Sequence, residues 1–212
     1  MFSDRRQAGA QLAIALAKKA GDRPIVLALP RGGVPVAAEV ARTLGAPLDI
    51  LNVRKLGAPT NPEFAFGAVG EGGAVVVDET TTRYLGISDQ VRDRLITEAL
   101  TDIDSRILTL RGGRDLIDVT GRTVIVVDDG LATGATAEAA VAVVRHLEAG
   151  TVIFAVPTGS QQAVDRLEGM CDEVVCLETP SPFGSVGAQY ESFPQVSEDE
   201  VLGILRSREH AR

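Results

Sequence analysis

One stretch of the chain, residues 124–136, constrains the fold more than any other, and its sequence is VIVVDDGLATGAT. Val124–Val127 form a continuous run of β-branched residues, which is typical of a central parallel strand buried on both faces. Asp128 and Asp129 follow at the carboxyl end of that strand, where open α/β sheets bind their ligands. Two carboxylates at that edge can accept hydrogen bonds from a diol; alternatively, they hold a metal or only solvate a loop.

The glycine-containing turn after this acidic pair predicts an anion site. It leads into a helix rich in Ala and Val, and the first backbone N–H groups of a helix have no acceptor within it. These groups and the helix dipole favour a bound phosphate. The residues expected to cradle the phosphate are Ala132, Thr133, Gly134, Ala135 and Thr136. An acidic pair beside a phosphate cradle predicts a site for a ribose 5-phosphate group.

The composition argues against several other classes of protein. With 212 residues, 45% of them hydrophobic and 24% charged, the chain is expected to form one globular domain over residues 1–212. A net charge of −8 disfavours nucleic acid as a partner. Neither G-x-G-x-x-G nor G-x-x-x-x-G-K-[ST] occurs, so dinucleotide and Walker-type nucleotide sites lose their main support. No apolar run approaches the ~18 residues that span a bilayer, so we expect a cytoplasmic protein without a membrane partner. Cys171 and Cys176 are expected to be reduced thiols in or near the core.

Short apolar strands alternate with helices along the chain. Periodicity and turn residues predict strands over 24–30, 47–53, 74–79, 124–127, 151–157 and 172–178. The same criteria predict helices over 5–20, 37–45, 88–111, 134–149 and 160–170, and a last helix opened by the capping box Ser197-x-x-Glu200. Such alternation indicates an α/β fold with a parallel sheet and helices on both faces.

Two segments depart from the regular pattern. Residues 56–73 lose periodicity and accumulate Gly and Pro, which predicts a long loop with room for a short hairpin. Loops of that length are commonly functional. Residues 178–212 begin with a stretch rich in Pro, Gly, Ser and aromatic residues. We expect this stretch to cross the surface before the terminal helix.

Three segments carry a family resemblance. VIVVDDGLATGAT resembles the phosphoribosyl-pyrophosphate (PRPP) motif of type I phosphoribosyltransferases. PRGGVPVA and VRKLGAPTNPE resemble a widely distributed phosphoribosyltransferase group whose nitrogen acceptor is unassigned. The resemblance extends over roughly residues 10–205, and it is specific for PRPP and silent on the acceptor.

The resemblance implies a Mg²⁺-dependent transfer of ribose 5-phosphate from PRPP to a nitrogen nucleophile, with a nucleobase as the expected acceptor and with release of pyrophosphate. Asp128 and Asp129 would bind the ribose hydroxyls, directly or as metal ligands. Residues 56–73 would be a flexible lid over PRPP, and residues 178–212 a small hood and C-terminal tail. The resemblance also allows a homodimer.

Pro30-Arg31-Gly32-Gly33 supplies what the departing pyrophosphate would need. Two glycines let the backbone approach an anion closely, and the Arg31 guanidinium suits bidentate contact with oxygen. The family keeps its pyrophosphate loop after the first strand, where this segment lies. Arg54 and Lys55 are expected to end the next strand on the same edge and to assist, unless they are only solvated there.

One departure from the motif bears on the acceptor. Enzymes of the family that act on 6-oxopurines have an Asp at the position of Ala132, where it exchanges a proton with the base. The pattern here looks adenine-like, for which the resemblance places the acid in the lid, and Glu63 becomes the candidate general acid or base. The acceptor ring would stack on aromatic residues of the hood, which could instead anchor the tail: Phe183, Tyr190 and Phe193.

A second function of a different class remains open from the sequence. Proteins of this fold can sense PRPP or nucleotides without turnover. Many such regulators need a basic surface for nucleic acid, which a charge of −8 does not provide. Retention of Arg31 and Lys55 favours the enzyme.

Overall fold

The computed structural model describes residues 1–59 and 61–209. Its α-helices are α1 (Arg5–Leu16), α2 (Gly33–Leu44), α3 (Glu79–Tyr84), α4 (Asp89–Arg111), α5 (Ala135–His146), α6 (Gln161–Glu168) and α7 (Glu198–Glu209). Its strands are β1 (Ile25–Ala28), β2 (Leu48–Ile50), β3 (Val53–Ala58), β4 (Asn61–Gly70), β5 (Val75–Val77), β6 (Thr123–Val127), β7 (Thr151–Thr158) and β8 (Glu173–Glu178).

The main sheet has five parallel strands in the order β2-β1-β6-β7-β8, as the alternation of elements predicted, although the strand expected over 74–79 lies in a second sheet. Strand β6 lies at its centre and is buried throughout except at its first residue. Val124 and Val126 pack on one face with α5 and α6, whereas Ile125 and Val127 pack on the other with α1, α2 and α7. A strand covered on both faces needs apolar side chains at every position, which explains the unbroken β-branched run.

The segment predicted as a loop forms most of a second sheet. Strands β3, β4 and β5 pair antiparallel in sequence order, with Val53 opposite Gly70. The expectation of a strand over 47–53 is therefore corrected, because β2 ends at Ile50 and Val53 opens the hairpin. The prediction of a long loop over 56–73 is likewise wrong, because most of this segment belongs to β3 and β4, and the hairpin they form is long where a short one was expected.

The hairpin is held by its own apolar cluster. Phe66 is fully buried with Leu56, Val69 and Ile103 of α4. Gly70 lies so close to Val143 of α5 that a Cβ there would overlap that side chain. Gly70, one of the glycines that suggested a loop, thus permits close packing of the hairpin on a helix.

The amino terminus and the tail meet beside the main sheet. Phe2 N–H donates to Gln189 O at 2.9 Å, and Glu191 N–H donates to Phe2 O at 2.8 Å. A 3₁₀ turn over Gly187–Gln189 precedes Tyr190, whose ring lies 5.6 Å from that of Phe2. The tail is therefore anchored to the amino terminus.

Other sequence expectations are confirmed with small changes of boundary. Helix α1 ends at Leu16, before the expected residue 20. Ser197 Oγ accepts from Glu200 N–H at 3.1 Å at the start of α7, as the capping pattern predicted. Both cysteines are free thiols. Among the described residues, no helix has the length and apolar character needed to cross a bilayer.

Candidate functional site

The acidic pair lies at the carboxyl end of β6, as the sequence predicted. Asp129 N–H donates to Asp128 Oδ1 at 2.8 Å, and Arg5 Nε donates to Asp129 Oδ2 at 2.8 Å. Burial raises the pKa of Asp128 well above its usual range, and the neighbouring Asp129 charge raises it further. Burial also raises the pKa of Asp129, although its bond with Arg5 opposes that rise. The pair therefore favours a cation or hydroxyl donors at this edge.

The glycine loop after β1 lies directly against this pair. A Cβ on Gly32 would overlap the Asp129 carboxylate, and one on Gly33 would lie 2.6 Å from Val127 O and 2.9 Å from Asp128 Cα. A side chain at position 32 would therefore displace the Asp129 carboxylate, and one at position 33 would displace the backbone at the end of β6. The close approach places the backbone of residues 31–33 beside the carboxylates, on the edge where the sequence predicted a pyrophosphate loop.

The predicted phosphate turn has the expected form. Gly134 caps α5 in the left-handed region, with φ 84° and ψ −12°. Within the described part of the chain, no hydrogen bond is formed by the backbone N–H groups of Ala132, Thr133, Gly134, Ala135 and Thr136. Five such groups at a helix amino terminus form a concave donor surface for an anion.

The carbonyl side of this turn is fixed by groups from α6 and the loop before it. Ser160 Oγ donates to Ala132 O at 2.7 Å, and the Arg166 guanidinium donates to Thr133 O and to Glu138 Oε1. These bonds hold the peptide groups with their N–H bonds facing away from α6. Neither Ser160 nor Arg166 belongs to the motif, and no local pattern marked them.

Arg31 lines a cavity of about 520 Å³ together with Gly32, Asp129, Arg5 and Phe193. We call this the Asp129 cavity. Arg31, after β1, and Asp129, after β6, thus line the same space. A ligand carrying both hydroxyl groups and negatively charged oxygens would find donors and acceptors there.

Arg54 and Lys55 do not end the second strand of the main sheet, contrary to expectation. They belong to β3, and the Arg54 guanidinium forms an ion pair with Asp102 of α4. Both nevertheless line a depression of about 640 Å³ with Pro30 and Thr136. This Lys55 depression therefore connects the hairpin to the phosphate turn and to the glycine loop.

Arg106 is a cation that sequence reasoning missed. It is exposed on α4 and lines both the Lys55 depression and a neighbouring cavity of about 520 Å³ beside Arg31. On the sequence, Arg106 belongs to an ordinary charged helix surface. Only the packing of α4 beside the glycine loop adds it to the cations around Pro30.

The hood aromatics differ in their contacts. Tyr190 is buried, its ring centroid lies 4.9 Å from that of Phe193, and its hydroxyl donates to Asp129 O at 2.5 Å. Burial raises the pKa of Tyr190. Phe193 and Phe183 are half-buried, and Phe183 O accepts from Gln189 Nε2 at 2.9 Å. Tyr190 makes the contacts expected of a tail anchor, and stacking on an acceptor ring stays a prediction for all three.

Arg5 is the other functional candidate that the motifs did not mark. It is 8% exposed although it is charged, and its guanidinium carbon lies 3.7 Å from the centre of the Phe193 ring. Its Nη1 donates to Pro194 O at 2.7 Å. An arginine is seldom buried without a dedicated partner, and here the partner is the Asp129 carboxylate.

The donor set of the site fits Mg²⁺ only in company with a phosphate ligand. Among the described residues, no group of three or more His, Cys, Asp or Glu side chains could hold a metal ion. Mg²⁺ commonly takes one or two carboxylates and completes its shell with water and substrate phosphates. Asp128 and Asp129 meet that requirement. The side chain of Glu63, the candidate acid or base, lies outside the described residues.

Comparison with known proteins adds an independent line of evidence. A family model described as the phosphoribosyl transferase domain matches residues 4–192. Two curated relatives, from Mycobacterium tuberculosis strains CDC 1551 and H37Rv, are 49% identical over 205 residues. Their names describe a phosphoribosyl transferase and mark that activity as provisional. The match covers 97% of this chain and 46% of theirs, so the chain spans about half the length of these relatives.

Solved structures agree with this similarity. The crystal structure of TT1426 from Thermus thermophilus has a TM-score of 0.90 and 47% sequence identity, covering 97% of this chain and 98% of that one. AQ2163 from Aquifex aeolicus has a TM-score of 0.50 and 12% identity, covering 82% and 73% of the two chains. At that identity the likeness concerns the fold alone.

Proposed function

Because the chain belongs to the phosphoribosyl transferase domain family, we propose that it transfers ribose 5-phosphate from PRPP to a nitrogen nucleophile and releases pyrophosphate. The observation that carries this proposal is the contact between the glycine loop and the acidic pair. Gly32 and Gly33 leave room for no side chain between the loop backbone and the carboxylates of Asp128 and Asp129. A leaving group on the loop and a ribose on the carboxylates would therefore be adjacent.

In the proposed reaction, the bond from ribose C1 to a pyrophosphate oxygen breaks and a bond from C1 to the acceptor nitrogen forms. Negative charge grows on the departing pyrophosphate, so donors beside it stabilise the transition state more than the bound substrate. Arg31 and the loop backbone are those donors, and Lys55 assists from the hairpin. The 5-phosphate binds the open N–H groups of residues 132–136, while the acidic pair orients the ribose hydroxyls.

Mg²⁺ is part of the proposal, with Asp128 and Asp129 as its protein ligands. When bound, it would neutralise pyrophosphate charge and help to orient the leaving group. The donor set supports this assignment because two carboxylates match the sparse protein ligation that Mg²⁺ accepts beside phosphates. Cytoplasmic location and a homodimer stay predictions.

The acceptor is proposed to be a nucleobase that does not rely on a carboxylate at position 132. Ala132 cannot exchange a proton, so the proton lost from the acceptor nitrogen passes to Glu63 in this proposal. The Asp129 cavity, bounded by Phe193 and the tail, is the space for the base. We expect 6-oxopurines to be poor acceptors for this reason.

The decisive experiment follows pyrophosphate release from Mg²⁺ and PRPP with a panel of purine and pyrimidine bases. Release that depends on one base, with formation of its nucleotide, is the expected result. Tight PRPP binding with no turnover on any base would instead favour the sensor without catalysis. Absence of PRPP binding by calorimetry would contradict both functions.

A further inference from the structure

Arg5 joins three parts of the molecule that are distant in sequence. It lies 124 residues before its partner Asp129 and 189 residues before Pro194, whose carbonyl it also binds. Asp4 is the N-cap of α1, and its side chain accepts from Gln7 N–H at 2.7 Å, which fixes the first turn that carries Arg5. The guanidinium is therefore placed by a capped helix and not by a mobile end.

The same guanidinium supports the wall of the Asp129 cavity. It stacks on Phe193, which in turn contacts Gly187 closely enough that a Cβ there would lie 3.0 Å from the ring. A Cβ on Gly130, the residue after the acidic pair, would lie 2.5 Å from Val186. The segment 186–196 thus closes one side of the cavity, and Arg5 links it to the carboxylate on the other side.

The contact is well shielded from water. The side chains of Arg5 and Asp129 are 10% and 15% exposed, so their attraction is screened little and its loss leaves a buried charge without a partner. Tyr190 adds a second bond to the same residue through its hydroxyl and Asp129 O. Asp129 is therefore held at both its main chain and its side chain.

We propose that Arg5 is a positioning residue of the site: it orients the Asp129 carboxylate toward the cavity and holds the segment 186–196 as the opposite wall. This inference rests on the proposed function, because the carboxylate is oriented for PRPP and Mg²⁺. It extends that function to a residue outside every motif of the chain. Arg5 acts on substrate through Asp129.

Arg5→Met tests the proposal, with Arg6→Met as the matched control on the exposed side of the same helix turn. Loss of the guanidinium should weaken Mg²⁺·PRPP binding by about tenfold or more, the scale found when a partner that orients a ligand-binding group is removed. Arg6→Met should bind as the wild type does. Calorimetry with PRPP measures both.

Hydrogen exchange reports on the wall. The amides of Glu191 and Ser192 bond to Phe2 O and Ser3 O, and they should exchange faster in Arg5→Met than in the wild type or Arg6→Met. Arg5→Lys retains a cation near Asp129 but lacks the planar fork that also reaches Pro194 O. It should recover part of the PRPP affinity while these amides stay fast.

A double-mutant cycle identifies the route of the effect. If Arg5 acts through the carboxylate, Arg5→Met should weaken PRPP binding little further in an Asp129→Asn background. Fully additive losses, or wild-type PRPP affinity in a folded Arg5→Met variant, would overturn the inference. Failure of the wild type itself to bind Mg²⁺·PRPP would instead contradict the proposed function, so the two failures are distinguishable.

Discussion

At the scale of single residues, the site depends on glycines, whose missing side chains leave room for other groups, as much as on charged side chains. Gly32 has φ −61°, a helical value open to any residue, so its identity is not set by backbone conformation. The Asp129 carboxylate occupies the space of its missing side chain. Gly134 differs, because its φ of 84° is strained for other residues as well.

Gly32→Ala is expected to displace the Asp129 carboxylate and to lower PRPP affinity by about tenfold or more, by the same loss of orientation. Gly203→Ala on α7 is the control, since a Cβ there meets no atom of the described residues within 4 Å. Calorimetric titration of both variants with Mg²⁺·PRPP measures the difference. Equal affinities would show that the close approach has no role in binding.

Arg31→Ala should act on the transition state, because charge accumulates on pyrophosphate as its bond breaks. We expect kcat to fall by about 10²-fold or more once an acceptor is known, the scale of losing one donor to developing charge. Steady-state kinetics measure kcat and KM separately. A change confined to KM would show that Arg31 only collects substrate.

Asp128→Asn is expected to stabilise the protein at neutral pH while impairing binding. Folding raises the pKa of Asp128 through burial, so ionisation costs stability, and this cost grows as pH rises through the folded pKa. The variant should melt higher at pH 7.5, by about 2–4 °C per kcal/mol relieved. The difference should vanish near the unfolded pKa of about 4.

Asp172→Asn is expected to change the melting temperature in the opposite direction. A hydrogen bond from Val152 N–H and the Arg145 charge lower the pKa of Asp172. Its ionised form therefore stabilises the fold above the unfolded pKa, and the amide should melt lower at pH 7.5. Calorimetry across pH that gave both variants the same sign would contradict the assignment for Asp128.

At the scale of elements, the hairpin β3–β4 and helix α4 add a second wall that the motifs do not describe. Both lie beside the glycine loop, and they contribute Lys55 and Arg106 to the depression around Pro30. Phe66 holds the hairpin to α4, whereas Phe64 is 49% exposed. Of these two phenylalanines of β4, only Phe66 anchors the hairpin to the helix.

Arg106→Ala should weaken inorganic pyrophosphate binding about three- to tenfold, the scale of one charged group at an exposed site, since 1.4 kcal/mol is tenfold. Arg94→Ala on the same helix is the matched control, because Arg94 is exposed and faces Glu98 at 4.0 Å. Titration with Mg²⁺ and pyrophosphate compares them. Equal effects would indicate a general charge effect of α4.

Glu63→Gln tests the role proposed for the hairpin in proton transfer. Turnover should fall strongly while PRPP affinity stays close to the wild-type value, because the amide keeps the size of the side chain and loses its proton affinity. Pyrophosphate release measures turnover, and calorimetry measures PRPP affinity. Full activity, or efficient use of hypoxanthine or guanine, would place the proton elsewhere.

At the scale of the whole molecule, the sequence predicted the main sheet better than the second one. Four strands of the main sheet have an apolar run that can be recognised without knowing their neighbours, because the sheet is covered on both faces: β1, β6, β7 and β8. Strands β3 and β4 contain Gly and Pro, which normally indicate a loop. Two of these glycines fit the strand because of close packing: Gly70 lies against Val143 of α5, and Gly67 lies against Val76 of β5.

Local sequence determined the features that a short run of consecutive residues can mark: the strand β6, the acidic pair, the phosphate turn and the glycine loop. The apolar run of β6 and the turns after β6 and β1 are recognisable in a few consecutive residues, whereas the contact between Gly32 and Asp129 joins two such segments only in the folded chain. Tertiary structure alone decided the bond between Arg5 and Asp129 and the place of Arg106. These contacts join residues separated by whole elements, and a single arginine on a helix has no local pattern that marks its partner.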